Sequence, residues 1–406
     1  GLEKRPKLRF PGFDEPWKAT AFGDIVHEFS NRTKVEDEDV LLSAAIEGMF
    51  LNTELFGHQR GASNKGYKKI KYGTMVLSTQ NLHLGNANVN QRFEHGMVSP
   101  AYKTYDISGC SIDLIAQWIK SDAAKRFFYN ATTVGASVCR RNVEWDTLYG
   151  QSLFLPSLPE QEKIANLLTL LSNRIEEQRQ LIIALKKYKR GLSNSLFDRL
   201  SAESESQLCI FGDMMTILQN NTFSRDNLSV GGNGVRNIHY GDVLIKYGAV
   251  LDLHSENVPV INAEQDISKF SALSYLRNGD VVFADTAEDY TVGKSTEIIG
   301  TENIAALSGL HTIPCRPQGS FAPMYLGYYF NSDYFKKQLY PMIQGTKVSS
   351  ISKSEIIKTK IIVPCLQEQA RISSIMSALD DRIDAAKHTT KDLIDLRSGL
   401  LQQLFI

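Results

Sequence analysis

The sequence predicts a mixed α/β protein built twice over: two globular segments separated by two long antiparallel coiled-coil helices, arranged as a pseudo-two-fold tandem repeat. Three observations lead there. The chain has 406 residues, too many for one ordinary domain of about 100–200 residues. One stretch, Leu155 to Phe197, recurs without a gap as Val363 to Phe405, shifted by 208 residues and identical at 13 of 43 positions. Both copies carry a sustained heptad pattern.

The repeat fixes the order of parts. The first globular segment covers 1–155, a central helix 156–204, a second globular segment 205–362 and a C-terminal helix 363–406. Phe22-Gly23-Asp24-Ile25 near the start of the first segment is echoed by Phe211-Gly212-Asp213-Met214 in the second, shifted by 189 residues. The two shifts differ, so the globular segments differ in length and have diverged more than the tails.

Within the segments, Lys71 to Leu77, Gly241 to Ile245 and Gly279 to Phe283 read as strands beside Gly-Asp or Tyr-Gly turn signals. A helix is expected over Ile112 to Asn130, with a counterpart over Pro323 to Leu339. Both are aromatic-rich, with Trp118, Phe127, Phe128 and Tyr129 in one and Tyr325, Tyr328, Tyr329, Phe330, Tyr334 and Phe335 in the other. Their helical spacing suits packing on a sheet better than base stacking.

Each tail begins just after a proline, which a helix tolerates near its start but not inside. The first seam reads Ile164, Leu168, Leu171, Ile175, Gln178, Ile182, Leu185, Lys189, Leu192 and Leu196. The second reads Ile372, Met376, Leu379, Ile383, Ala386, Thr390, Leu393, Arg397, Leu400 and Leu404. Steps of four and three alternate, and eight of ten positions are apolar in each. Two matched seams of equal length favour their packing on each other. The alternative is a pair of amphipathic helices, each lying on a globular core.

Composition sets limits on function. Hydrophobic residues make up 42% and charged residues 22%, normal for a chain with real cores. No apolar run approaches the roughly 18–20 residues of a membrane span, no signal-peptide pattern opens the chain, and Gly1 reads as a processing product. Five cysteines, odd in number and without C-x-x-C, point to a reducing cytoplasm and away from a disulfide framework or zinc site. Lys and Arg total 45 against 45 Asp and Glu, so any affinity for nucleic acid must come from local charge.

No catalytic signature appears. The chain lacks a P-loop, a G-x-S-x-G elbow, H-E-x-x-H and the Asn-Pro-Pro-aromatic tetrapeptide of adenine methyltransferases. Gly231-Gly232-Asn233-Gly234 precedes no helix and reads as a flexible loop, and the eight histidines are scattered. No metal ligands and no cofactor are expected in this chain.

Local charge does cluster. From His58 to Lys71 there are five basic residues, Arg60, Lys65, Lys68, Lys69 and Lys71, with Tyr67 among them and no acid. Such a stretch suits phosphate contact; a merely solvated loop is the alternative. Matching loops precede the two tails, one with Gly135, Arg140 and Arg141, the other with Gly345, Lys347, Ser349 and Ser350. Arg236, Lys246 and Lys294 are further candidates in the second segment, where basic residues are dispersed.

The duplicated Pro-x-Leu-x-Glu-Gln…Ile stretch with its long heptad helix resembles the specificity subunit of type I restriction–modification enzymes. So do the opening Pro6-Lys7-Leu8-Arg9-Phe10-Pro11-Gly12-Phe13, Val98-Ser99-Pro100-Ala101-Tyr102, Gly309-Leu310-His311-Thr312 and Asn278-Gly279-Asp280-Val281-Val282-Phe283. The resemblance covers essentially the whole chain. It implies two globular DNA target-recognition domains, each reading one half of a bipartite double-stranded target. It also implies helices that set the spacing and dock two adenine-methyltransferase subunits, with endonuclease–translocase subunits joining the complex. S-adenosylmethionine, ATP and Mg2+ would belong to those partners, and the chain itself would be non-catalytic. A stand-alone DNA-modifying enzyme and a coiled-coil scaffold without DNA affinity are the competing readings.

Overall fold

Each globular segment is closed by pairing its own two ends. In the computed structural model, which describes residues 6–57, 63–137, 140–203, 206–254, 257–345 and 348–405, strand Lys18–Ala21 runs antiparallel to Ser152–Leu155. Strand Gln207–Ile210 pairs likewise with Lys360–Val363. A single helical turn follows each opening strand, Phe22–Ile25 and Phe211–Met214, with its phenylalanine fully buried. The glycine that follows admits a close approach: a Cβ on Gly23 would lie 3.1 Å from Tyr149 Cβ, and one on Gly212 would lie 3.3 Å from the Ile357 carbonyl. The repeated Phe-Gly-Asp phrase therefore marks the point where the two ends of each segment are pressed together.

The first segment is centred on a four-stranded antiparallel sheet in the order Val26–Phe29, Tyr102–Ile107, Met75–Ser78 and Ala87–Val89. Trp118, Phe127, Phe128 and Phe22 interlock edge-on beside it, with ring centroids 5.2–6.2 Å apart. The second segment has a five-stranded sheet in the order Met215–Ile217, Thr312–Pro317, Val281–Ala284, Ser295–Ile299 and Val250–Asp252. A second sheet there orders Leu228–Ser229, Val260–Ile261, Arg236–Ile238 and Ala306–Ser308. Phe283, Phe330, Phe335 and Tyr329 fill the core against the five-stranded sheet.

Five local expectations are corrected. The helix foreseen over Ile112 to Asn130 is two, Ile112–Trp118 and Asp122–Asn130, because the Ser121 hydroxyl accepts from the Ala124 N–H and starts a new helix. Ser332 does the same between Tyr325–Phe330 and Asp333–Leu339. The strand foreseen over Lys71 to Leu77 is broken at Gly73, φ +83°, leaving Lys68–Lys71 and Met75–Ser78 in different sheets. Gly241 to Ile245 lies in a helix, Tyr240–Ile245, whose Gly241 N–H is accepted by His239 Nδ1. The two loops before the tails carry strands: Thr132–Ser137 pairs with Arg140–Val143, and Ser349–Ser350 with Thr286–Ala287.

The tails are helices Leu158–Ala202 and Leu366–Leu404. The chain divides into two compact units, one of residues 1–180 with 387–406 and the other of residues 181–386, so each unit holds one globular segment and part of both helices. In the first unit Ile164, Ala165 and Leu168 pack in one core with Leu401, Leu404 and Phe405, so the helices run antiparallel. In the second unit Leu196, Phe197 and Leu200 share a core with Ile372 and Met376, again antiparallel. Every seam position from Ile164 to Leu196 and from Ile372 to Leu404 is buried or half-buried.

The identities in the repeat have structural work. Gln161 donates to the Pro156 carbonyl and accepts from the Ser111 N–H at 2.8 Å. Gln369 donates to the Pro364 carbonyl and accepts from the Ala322 N–H at 2.9 Å. One amide thus fastens each long helix to its globular segment. Glu160, fully buried, holds Arg9 through two 2.8 Å hydrogen bonds, and the Leu8 N–H reaches the Gln403 carbonyl. The opening stretch is therefore a strap over the helix pair of the first unit.

Candidate nucleic-acid interface

In the first unit the basic stretch meets an acidic one. Glu38 sits 2.5 Å from the Lys69 ammonium and also accepts from the Lys34 and Val35 N–H groups. These bonds hold its carboxyl well below the usual range, at about 2. Asn64 bonds Asp37 through both side-chain and backbone groups, and Ser63 donates to Glu36. Lys71 pairs with Asp106 at 3.1 Å. Lys68 is buried, its ammonium on the Tyr102 carbonyl at 2.7 Å, and burial lowers its pKa. Tyr67 is half-buried, its backbone N–H and carbonyl both engaging Thr33. Lys65 is exposed and, among the described residues, forms no ion pair. Arg60 lies outside the described residues.

The hairpin Thr132–Val143 brings Arg141 over the Tyr129 ring at 4.2 Å, with its guanidinium also donating to the Thr132 hydroxyl and carbonyl. Arg140 contributes its backbone to the pairing opposite Ser137. Val138 and Cys139 lie outside the described residues.

The second unit assembles a polar face from residues far apart in sequence. Asp242, almost fully buried, accepts from Arg225 at 2.7 Å and Lys246 at 2.9 Å. Burial pushes its carboxyl up, but these two cations outweigh it and the net pKa is lowered. His239 Nδ1 accepts the Gly241 N–H beside Arg225; burial first and the Arg225 charge second lower its pKa, which favours the neutral imidazole. Tyr240 packs between His239 and His311, ring centroids 4.7 and 5.3 Å away. His311 faces Asp285 at 3.4 Å and Thr286 at 3.5 Å. Ser349 and Ser350 pair with the strand carrying Thr286. The exposed Tyr290 lines a cavity of about 710 Å³ with Tyr340 and Ser349.

Of the sequence candidates, Lys246, Ser349 and Ser350 belong to this face. Arg236 donates to the Val258 carbonyl, and Lys294 to the Leu244 carbonyl from a half-buried position. Lys347 lies outside the described residues. The sequence reading passed over His239, Tyr240, Thr286 and the full role of Arg225. The one signal for them was the Gly309-Leu310-His311-Thr312 phrase, since the rest are gathered only by the fold. Among the described residues no group of three or more His, Cys, Asp or Glu is placed to hold a metal, and no helix is long and apolar enough to cross a membrane.

Two α/β segments, each fastened to a long helix by an equivalent glutamine, Gln161 or Gln369, define a duplicated protein. Residues 211–395 match the family model of the type I restriction modification DNA specificity domain. The type I restriction enzyme MjaVIII specificity subunit of Methanocaldococcus jannaschii is 22% identical over 421 residues, spanning 98% of this chain and 93% of that relative. The fold resembles a structure described under complex assembly and conformational transition of the type I R-M system, with TM-score 0.57, 17% identity and coverage of 98% of this chain and 99% of that one. It also resembles the type I restriction-modification S subunit from M. genitalium, with TM-score 0.56, 15% identity and coverage of 99% of each chain. The chain is thus similar to type I restriction–modification specificity subunits, in its second half by the family model and over nearly its whole length by the curated relative.

Proposed function

We propose that this chain is the DNA-recognition subunit of a type I restriction–modification complex and performs no chemical step itself. Each globular segment reads one half of a bipartite duplex target. The antiparallel helices set the separation of the halves and dock two adenine-methyltransferase subunits, which endonuclease–translocase subunits join. S-adenosylmethionine, ATP and Mg2+ act in those partners, in the cytoplasm. The observation that carries this reading is the duplication itself, down to the Gln161 and Gln369 clamps. Two equivalent seats call for two equivalent ligands. In the second unit, Arg225, Lys246, Thr286, His311 and Ser350 present the donors that phosphates and base edges accept. In the first, Lys65 and the Thr132–Val143 hairpin are the corresponding candidates.

The test is co-expression with a methyltransferase subunit, followed by sequencing for modified adenine. The expected product is a motif of two fixed halves separated by an unspecified spacer, with neither modification nor cleavage by the chain alone. Modification by the isolated chain, or a single uninterrupted motif, would overturn the reading.

A further inference from the structure

The first unit contains a basic crevice whose lining includes none of the candidate nucleic-acid residues. It has a volume of about 450 Å³ and is lined by Lys120, Arg397, Arg179, Ser172 and Glu47, with Ile46, Ile175, Ile394 and Leu401 supplying apolar wall. Lys120 donates to the Ile46 carbonyl at 3.0 Å and the Asn88 amide oxygen at 2.7 Å. Arg397 donates to the Ser172 hydroxyl at 2.9 Å and the Gln117 amide oxygen at 2.7 Å. Every one of these acceptors is neutral. Among the described residues neither cation has a carboxylate within ion-pair distance, and Glu47 is exposed on the rim. Burial, then the neighbouring Arg397 charge, lowers the Lys120 pKa to about 8. The exposed Glu47 carboxylate offsets this only in part, and two half-buried cations facing each other with no carboxylate in ion-pair contact is an arrangement that opposes folding.

The repeat shows what is missing. Under the 208-residue shift, Arg397 corresponds to Lys189 and Ser172 to Asp380. In the second unit Lys189 meets Asp380 at 2.5 Å, and the Tyr328 hydroxyl donates to the same carboxylate at 3.1 Å. The first unit keeps the cation, replaces the carboxylate by a hydroxyl and adds a second cation. We propose that this crevice is a receptor site for a carboxylate side chain presented by a partner protein. The carboxylate takes the place that Asp380 fills in the other unit, between Lys120 and Arg397. The partly exposed Ile46 and Ile394 suit the aliphatic stem of a glutamate, which a free carboxylate lacks.

The test is the thermal midpoint of the full chain at constant ionic strength, with chloride as reference and with a blocked Leu-Glu-Leu peptide, its Leu-Gln-Leu control, acetate or phosphate added. Leu-Glu-Leu is expected to raise Tm by a few degrees, more than acetate, with no effect of Leu-Gln-Leu. Ser172→Asp, which restores the internal carboxylate, should raise Tm in chloride by about 2–4 °C and abolish the peptide increment. Arg397→Gln and Lys120→Met should abolish the increment without needing a new contact. Equal stabilisation by both peptides, a greater effect of acetate or phosphate, or an increment that persists in Arg397→Gln would each overturn the proposal. None of these outcomes bears on DNA recognition.

Discussion

Glu297 shows how strongly a single side chain can be held against its solution chemistry. It is 2% exposed, and its carboxylate accepts the Met324 N–H at 2.6 Å and the Gly327 N–H at 2.8 Å, at the start of helix Tyr325–Phe330. Burial outweighs these bonds and pushes its pKa to about 7, from an ordinary value of 4.5. Between those values the folded chain binds more protons than the unfolded one, so this group's contribution is greatest below pH 4.5 and is lost as pH rises through 7. The loss amounts to about 3 kcal/mol. Glu297→Gln should remove most of that slope, measurable as denaturant midpoints at pH 5 and 8; an unchanged slope would assign it to other groups. A second residue-scale prediction separates the lysines. Lys246→Ala should weaken DNA binding several-fold and reduce its salt slope by about one, with Tm unchanged because Arg225 still serves Asp242. Lys68→Ala should lower Tm and leave the salt slope alone. The sequence displayed the basic run from Lys65 to Lys71 but not Glu36, Asp37 and Glu38 opposite it, because that pairing is tertiary.

Elements were legible where their signal is local and long. A heptad pattern kept over ten seam positions is decided by the chain's own period, and helices Leu158–Ala202 and Leu366–Leu404 follow from it. Short apolar runs carry no such redundancy: Tyr240–Ile245 and Val281–Ala284 look alike in sequence, yet one is a capped helix and the other a central strand. The broken aromatic helices are legible in hindsight, because Ser121 and Ser332 stand before acidic residues, Asp122 and Asp333, as helix starts do. Ser332 is buried and caps through its hydroxyl at 3.2 Å. Ser332→Ala should therefore cost about 1–2 kcal/mol, seen as a lower denaturant midpoint, whereas Ser332→Asp should retain most of the stability. Equal losses in both variants would mean that packing of the serine, not its cap, holds the two helices apart.

At the scale of the whole molecule, the proposed function makes the globular segments exchangeable and the helices a ruler. Replacing residues 20–150 with the matching segment of a related subunit should change one half of the modified motif and leave the other intact; loss of both halves would mean the segments read DNA jointly. The ruler is tested by lengthening both helices in step. Ser172 faces Arg397 and the helices run antiparallel, so Glu177 faces the turn at Asp392. One heptad inserted between Glu177 and Gln178, with another between Lys391 and Asp392, keeps both seams in phase and adds about 10 Å of helix. At about 3.4 Å of duplex per base pair that equals roughly three base pairs, which also turn one half-site by about 100°. The lengthened chain should modify a target with a spacer longer by about three base pairs, or lose modification if the added turn defeats simultaneous docking. Four inserted residues in each helix should instead put the seams out of phase and lower Tm. A heptad variant that assembles with its methyltransferase and still modifies the original spacing at full efficiency would take the spacing away from the helices and give it to the recognition loops.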